Sequence, residues 1–563
     1  MMPPIGDLAP LSRRRLPVPL PSPWFWGLVV LYVLLGLIGH DPWKSEDAIG
    51  FGIAWSMAAG HAQDWMLPNI AGRMVAEEGP LAFWLAAAFI KALGNFLLAQ
   101  DAARLATGVW MSITIIAVYR AGRALDGNVA GRLAVLALLA SLGLVTRAHE
   151  IAAEPAFLAG WALVLWALAL GRAFGWRGAL LLAAGLATCY LSRGAAPTRV
   201  VVLTIAIAWL ATRNGFTGWR DAAWKIGAFA AGHVLFFAWG LTVARFAGEF
   251  ATESAAHQAG LQAWNDAQTG WPDAANWRQY GKTLLWFAFP AWPVALWWIA
   301  KKRPPMLLDV RPVPLPRRLP LVGVACVLAS LSWSPNAGDS VLLPLLLPLA
   351  LLIAPGLAHM RRSHAAAIDW FGRMSFTLVA ALIWLGYAAL MTGWPPKIAA
   401  NFARLEPGFV ATWHWPTLLI AVAASALWLI AIARSERTPL RGIVHWCYGI
   451  TLTWLLLMTL WLPWIDYGRS YRPVALSMKA AIAGRRDGPR NCVATVELGL
   501  AERATFGYFG EFRFAGLKDN CAWLLTQGTR GDAPPVPAGA RQVWEGNRPG
   551  DRNERFRLYQ RSK

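Results

Sequence analysis

PLAFWLAAAFIKALGNFLL, residues 80–98, is the stretch on which the topology turns. A helix needs about 20 predominantly apolar residues to cross a ~30 Å hydrocarbon core, so by length this stretch could span a membrane. Apolar runs of about 16 to 24 residues recur on either side of it, from Trp24 to Trp464. The chain is 57% hydrophobic with a mean hydropathy of +0.42, values that soluble domains seldom reach. A membrane domain therefore takes up most of the chain.

The basic loops decide how residues 80–98 are read. Arg13, Arg14 and Arg15 precede the first run and place residues 1–23 in the cytoplasm, with no cleavage site after the anchor. Further clusters follow at Arg120/Arg123/Arg132, Arg172/Arg177, Arg213/Arg220/Lys225, Lys301 to Arg318, Arg361/Arg362 and Arg434 to Arg441. All of these are cytoplasmic together only if residues 80–98 do not cross. The expected spans are then thirteen, at 24–39, 103–120, 126–145, 151–171, 178–192, 197–212, 222–245, 281–300, 318–333, 340–359, 369–392, 415–434 and 443–464. Residues 40–98 become an external juxtamembrane segment, and 246–280 an external loop with Trp264, Trp271 and Trp277. The net charge of +21 is absorbed by these loops and by anionic lipid, so nucleic acid is not an expected partner. No fixed-period repeat points to an inverted-repeat transporter.

On the external side stand Asp41, Glu46, Asp47, Asp64, Glu77 and Glu78 in the first segment. Arg147, His149, Glu150 and Glu154 follow the third span, Arg193 lies between the fifth and sixth, and Asp339 between the ninth and tenth. An ionisable group at membrane depth costs roughly 2.5–3.5 kcal/mol on insertion scales. For any one of them, solvation at headgroup level is a sufficient account; for the cluster on one face, a functional reading is stronger. Carboxylates with arginine beside them suit transfer of a sugar from a lipid phosphate. The acceptor hydroxyl must lose a proton to a base, and the leaving phosphate needs only a cation. Arg193 and Arg104 are the candidate cations, and Glu77, Glu78 and His149 candidate substrate contacts.

The same residues carry a resemblance. Glu46-Asp47-Ala48, Asp64-Trp65…Pro68…Gly72 and Glu77-Glu78-Gly79-Pro80-Leu81…Phe83-Trp84 resemble the external segment of the GT-C glycosyltransferases. The likeness is to the bacterial branch with lipid A aminoarabinose transferase and protein O-mannosyltransferase-like proteins. Ala103-Arg104-Leu105, Glu154-Pro155, Leu191-Ser192-Arg193-Gly194 and the Leu/Pro run 341–352 continue the pattern in order, over about residues 24–360.

The resemblance implies an all-α polytopic domain of the GT-C type with residues 80–98 as a juxtamembrane helix. It also implies an inverting transfer from an undecaprenyl-phosphate-linked sugar to an extracytoplasmic acceptor (lipid A, a surface glycan or a protein), in the bacterial inner membrane and as a monomer. Glu46 falls on the catalytic-region Asp, Asp47 on the Glu beside it, Glu154 on the second acid, and Arg193 on a Lys suited to the donor phosphate. Glu77 falls on a Glu that some relatives use for a divalent metal, so the resemblance admits an ion without requiring one. This chain departs from the pattern in the inverted Glu46-Asp47 pair and in Glu78, where the motif has Lys. The base is thus either Glu46 or Asp47. A non-catalytic relative that binds the lipid-linked sugar, or scaffolds an envelope complex, is the alternative.

From Asp466 the composition changes to short alternating runs. SYRPVALSMKAAIAG and LAERATFGYFGEF read as helices, and NCVATVELG, CAWLLTQG, RQVWEGN and RFRLYQR as strands. Residues 466–563 are expected to form a small α/β periplasmic domain, where Cys492 and Cys521 can pair. Cys189, Cys326 and Cys447 lie in apolar runs.

Overall fold

The computed structural model describes residues 20–75, 78–210, 216, 218–251, 274–302, 315–333, 338–483, 492–516, 519–532, 534–537 and 539–561. Helices α1 (Ser22–Leu34), α2 (Glu46–Ala59), α3 (Leu81–Leu93), α4 (Ala99–Asp126) and α5 (Asn128–Leu139) open the chain. After the short turn α6 (Leu144–Arg147) come α7 (Glu154–Ala169), α8 (Gly175–Arg193), α9 (Ala195–Leu210) and α10 (Trp219–Ala251). Then follow α11 (Ala274–Phe287), α12 (Ala291–Lys302), α13 (Leu315–Ser330), α14 (Leu343–Ala358), α15 (Arg362–Thr392), α16 (Pro396–Leu405), α17 (Trp415–Arg434), α18 (Arg441–Leu456) and α19 (Leu462–Arg469).

Among the described residues six helices are long and apolar enough to cross a membrane, or seven if a bent pair counts as one, against the thirteen spans expected. Several of the others coincide with apolar helices of 10–17 residues, among them α1, α5, α7 and α9. The expected span at 281–300 falls on two helices, α11 and α12, which meet at 96°. Pro290 stands between them, and a proline ends a helix by removing a donor and restricting the residue before it.

Glycines set the closest helix contacts. A Cβ on Gly160 of α7 would lie 2.6 Å from the Gly185 carbonyl of α8, and one on Gly185 would lie 2.7 Å from the Gly160 carbonyl. The two backbones therefore touch, as small residues allow where lipid supplies no hydrophobic drive between helices. This antiparallel contact brings the first residue of α7, Glu154, level with the last residue of α8, Arg193.

Helix α3 has 13 residues, about 20 Å at ~1.5 Å per residue. Its N-terminal end is tied to α8, where the Gly79 amide donates to the Ser192 carbonyl at 2.9 Å; Gln100, at the start of α4, accepts from the Tyr508 hydroxyl at 3.2 Å. Its apolar face, Phe83, Ala86, Ala87 and Ile90, packs with Phe51, Ile53, Ala54 and Met57 of α2.

The C-terminal residues form a five-stranded mixed sheet with helices α20 (Arg472–Ala481) and α21 (Leu500–Gly510). After the short hairpin β1 (Asn69–Ile70) and β2 (Arg73–Met74), its strands are β3 (Val493–Val496), β4 (Phe514–Ala515), β5 (Trp523–Thr529), β6 (Arg541–Gly546) and β7 (Glu554–Gln560). The order is β4-β3-β5-β7-β6, with β3 parallel to both neighbours and β7 antiparallel to both of its own. Tyr471, Phe506, Trp523 and Phe556 fill its core. Cys492 and Cys521 are joined by a disulfide across Cα atoms 4.9 Å apart. This domain sits on α2: Ala504 of α21 meets Gly52, and the Tyr508 ring stands edge-on to Phe51 and Trp55 at 4.8 and 4.9 Å. Arg503 donates to the carbonyls of Ile70 and Ala71, and Arg73 returns a bond to the Leu498 carbonyl. The sheet domain and the segment around α2 and α3 therefore lie on one side of the helical domain.

Candidate active site

The site begins where α2 docks on the loop before α7. A Cβ on Gly50 would lie 1.7 Å from the Ile151 carbonyl, so only glycine permits this approach. One turn earlier on α2, Asp47 reaches the same loop and accepts from the Ile151 amide at 2.8 Å through Oδ1. Its Oδ2 accepts from the Trp43 amide at 3.1 Å and from Nη2 of Arg104 at 2.8 Å. The two side chains are 2% and 0% exposed. Burial alone would raise the Asp47 carboxyl; Arg104, His40 and the Ile151 amide more than reverse this and hold it below the ordinary carboxylate range.

Arg104 is spent inside the protein. Beyond Asp47 it donates to the carbonyls of His40 at 2.8 Å and Asp41 at 2.9 Å, and to Asp101 Oδ1 at 3.4 Å. Such a side chain is a brace between α4 and the loop entering α2, and this geometry does not serve the donor-phosphate contact expected of it. His149 is likewise internal, its two ring nitrogens lying 2.6 and 2.8 Å from the carbonyl oxygens of Val145 and Tyr32. That leaves no ring nitrogen for a substrate.

A second, more open layer lies beside this brace. Arg147 donates to Glu150 Oε2 at 3.0 Å, with the two side chains 21% and 25% exposed. Burial works against the charge on Arg147, but Glu150, Glu154 and Glu46 around it raise its pKa above the ordinary value. Glu150 carries the converse effect: burial raises its carboxyl, Arg147 opposes, and Asp47, Glu154 and Glu46 add to the rise, so that it is pushed up to about 7. Glu46, half-buried at the first turn of α2, thus shares one electrostatic neighbourhood with Arg147, Glu150 and Glu154.

Arg193 closes the site from α8. Its Nη1 donates to Glu78 Oε1 at 2.9 Å and to Glu154 Oε1 at 3.0 Å. The side chains of Arg193, Glu78 and Glu154 are 20%, 12% and 8% exposed. The charge reversal at position 78 is therefore answered inside this chain by Arg193. Glu77 lies outside the described residues, as do Trp264 and Trp271 of the external loop and the side chain of Asp339. Among the described residues no group of His, Cys, Asp and Glu is arranged to hold a metal ion.

Other residues that build the site went unmarked in the sequence. Lys44, two positions before Glu46, donates to Glu554 Oε1 at 3.0 Å and lies 3.4 Å from Glu502 Oε1. The Tyr471 hydroxyl stands between the two carboxylates, 2.6 Å from Glu502 Oε1 and 3.0 Å from Glu554 Oε1. Asp466 accepts from the Asp41 amide at 2.9 Å and from the Trp43 indole at 2.8 Å. The loop that presents Glu46 is thus gripped by residues more than 400 positions away. The rise of Glu150 depends on its burial and then on the acids brought round it by folding, which spacing along the chain does not display.

The helical domain with its appended sheet domain has the fold of a solved bacterial membrane protein, ArnT. Residues 77–244 match the family model of dolichyl-phosphate-mannose-protein mannosyltransferases. In fold the chain is similar to ArnT from Cupriavidus metallidurans in its crystal structure bound to undecaprenyl phosphate. The TM-score is 0.63 at 17% identity, covering 96% of this chain and 98% of that one. The apo crystal structure of ArnT from Cupriavidus metallidurans gives 0.62 at 16% identity over 96% and 97%. No curated protein sequence matches the chain.

Proposed function

We propose that this protein is a membrane glycosyltransferase that moves a sugar from an undecaprenyl-phosphate carrier to an acceptor hydroxyl outside the cytoplasm, with inversion. The observation that carries this reading is the grouping of Glu46, Glu150 and Glu154 with Arg147 and Arg193 at the edge of a helical domain. That domain shares its fold with a protein crystallised with undecaprenyl phosphate. Glu46 takes the proton of the acceptor hydroxyl as its oxygen attacks the anomeric carbon. The bond from that carbon to the phosphate oxygen breaks, and the electron pair leaves on the carrier phosphate, whose charge Arg193 and Arg147 receive. Asp47, with three donors on its carboxylate and almost no exposure, positions α2 rather than taking the proton. The site sits on the external side with 40–98 and 466–563, in the order set by the basic loops. The acceptor is lipid A, a surface glycan or a protein.

A non-catalytic reading draws on one feature, the neutralisation of Arg193 by two carboxylates. Purified protein in lipid nanodiscs, given radiolabelled undecaprenyl-phosphate sugars and envelope extract, separates the two. Label passing to an acceptor with release of undecaprenyl phosphate supports the enzyme; donor bound and never consumed across the panel supports the alternative.

A further inference from the structure

The ion triplet at Arg193 is asymmetric. Glu154 is fixed: it opens α7, where the helix N-terminus favours a carboxylate, and the Gly160–Gly185 contact sets its height against α8. Glu78 is held differently. It lies in the link before α3, outside any helix. The next residue, Gly79, is pinned to the end of α8 by its amide bond to the Ser192 carbonyl, and its Cα stands so close that a Cβ would lie 2.2 Å from the Leu191 carbonyl. The backbone is anchored there while the Glu78 side chain, reaching Arg193 by its own torsions, can turn away without disturbing a helix.

Charge decides what happens when a phosphate arrives. Glu78, Glu154 and Arg193 together carry one net negative charge. A sugar phosphodiester brings one more, and two like charges a few ångströms apart in a partly buried site repel by several kcal/mol before screening. The penalty is avoided if an anion leaves as the phosphate enters, since a carboxylate and a phosphodiester each carry one negative charge and both fit the guanidinium fork.

We propose that Glu78 is an internal stand-in for the donor phosphate: it occupies Arg193 in the unliganded protein and is displaced when the phosphate of the lipid carrier binds. This rests on the reading of Arg193 as a donor-phosphate contact. Glu78 then sets the donor affinity and keeps Arg193 paired when no donor is present.

The test is binding of undecaprenyl phosphate to the full-length protein in nanodiscs, for wild type, Glu78→Gln, Glu78→Ala and Arg193→Gln, with thermal unfolding measured for each. Glu78→Gln and Glu78→Ala are expected to bind roughly tenfold tighter than wild type, a gain of about 1.4 kcal/mol, and Arg193→Gln to lose binding. A residue that merely supports the fold would not tighten binding when removed. Wild-type binding with unchanged or weaker binding in both folded Glu78 variants overturns the proposal and leaves the transferase reading standing. Undecaprenyl phosphate binding to none of the four proteins overturns both.

Discussion

Nη2 of Arg104 lies 2.8 Å from Oδ2 of Asp47, and the two side chains are 0% and 2% exposed. The pair joins α4 to α2 and fixes the turn from which Glu46 projects. Removing one member of a buried ion pair leaves an uncompensated charge and costs about 3–5 kcal/mol. Asp47→Asn is therefore expected to lower the unfolding temperature in nanodiscs sharply, and Arg104→Gln to do the same. Glu46→Gln, at a half-buried position, should leave it nearly unchanged. Equal melting of Asp47→Asn and wild type would show that the pair does not brace the site.

Glu150 gives the site a dependence on pH near neutrality. Its carboxyl titrates at about 7 in the folded protein, against about 4.3 for an unperturbed glutamate. Between those values the folded state holds a proton that the unfolded state has released, so stability falls as pH rises through the window and is level above it. Glu150→Gln should flatten this part of the profile of unfolding temperature against pH. An unaltered slope in the variant would assign the dependence to another group.

Lys44 couples the sheet domain to the acidic turn. Lys44→Met removes the ammonium from Glu502 and Glu554, leaving Tyr471 and the Gln527 amide between them. A hydrogen bond to a charged group contributes about 1.5–3 kcal/mol, and because Lys44 is a third exposed a loss at the lower end of that range is expected. Transfer should fall with stability, and Lys44→Arg should restore both. A Lys44→Met protein with wild-type melting and turnover would contradict the coupling.

The side of the membrane on which the sheet domain lies can be read from its cysteines. An extracytoplasmic domain is expected to carry Cys492–Cys521 oxidised in cells, while the buried Cys189, Cys326 and Cys447 stay unmodified by thiol reagents until the protein is denatured. Alkylation mass shifts in whole cells measure this. Free, reactive Cys492 and Cys521 would place the domain in the cytoplasm instead.

The sequence was most informative where periodicity governs. The helices of the C-terminal domain and four of its five main-sheet strands follow from alternation and apolar spacing; β4, two residues long, leaves no such signature. The break at Pro290 was signalled by the proline itself but masked by the apolar composition around it. Glu46, Glu150, Glu154 and Arg193 stood out as charges beside apolar runs, yet their partners did not. Whether Arg104 faces a ligand or the interior depends on the loop 40–43 folding over it. The grip of Glu554 on Lys44 spans 510 positions. Gly50, Gly79 and the pair Gly160 and Gly185 set these contacts, but a glycine in an apolar run looks the same whether it touches another backbone or faces lipid.

The most direct test compares wild type, Glu46→Gln and Asp47→Asn in one nanodisc assay that follows release of undecaprenyl phosphate from its sugar-linked form with acceptor present. Wild type is expected to turn over, Glu46→Gln to lose turnover with retained fold and donor binding, and Asp47→Asn to lose turnover together with stability. Turnover by Glu46→Gln at the wild-type rate would contradict the role of Glu46 as the base.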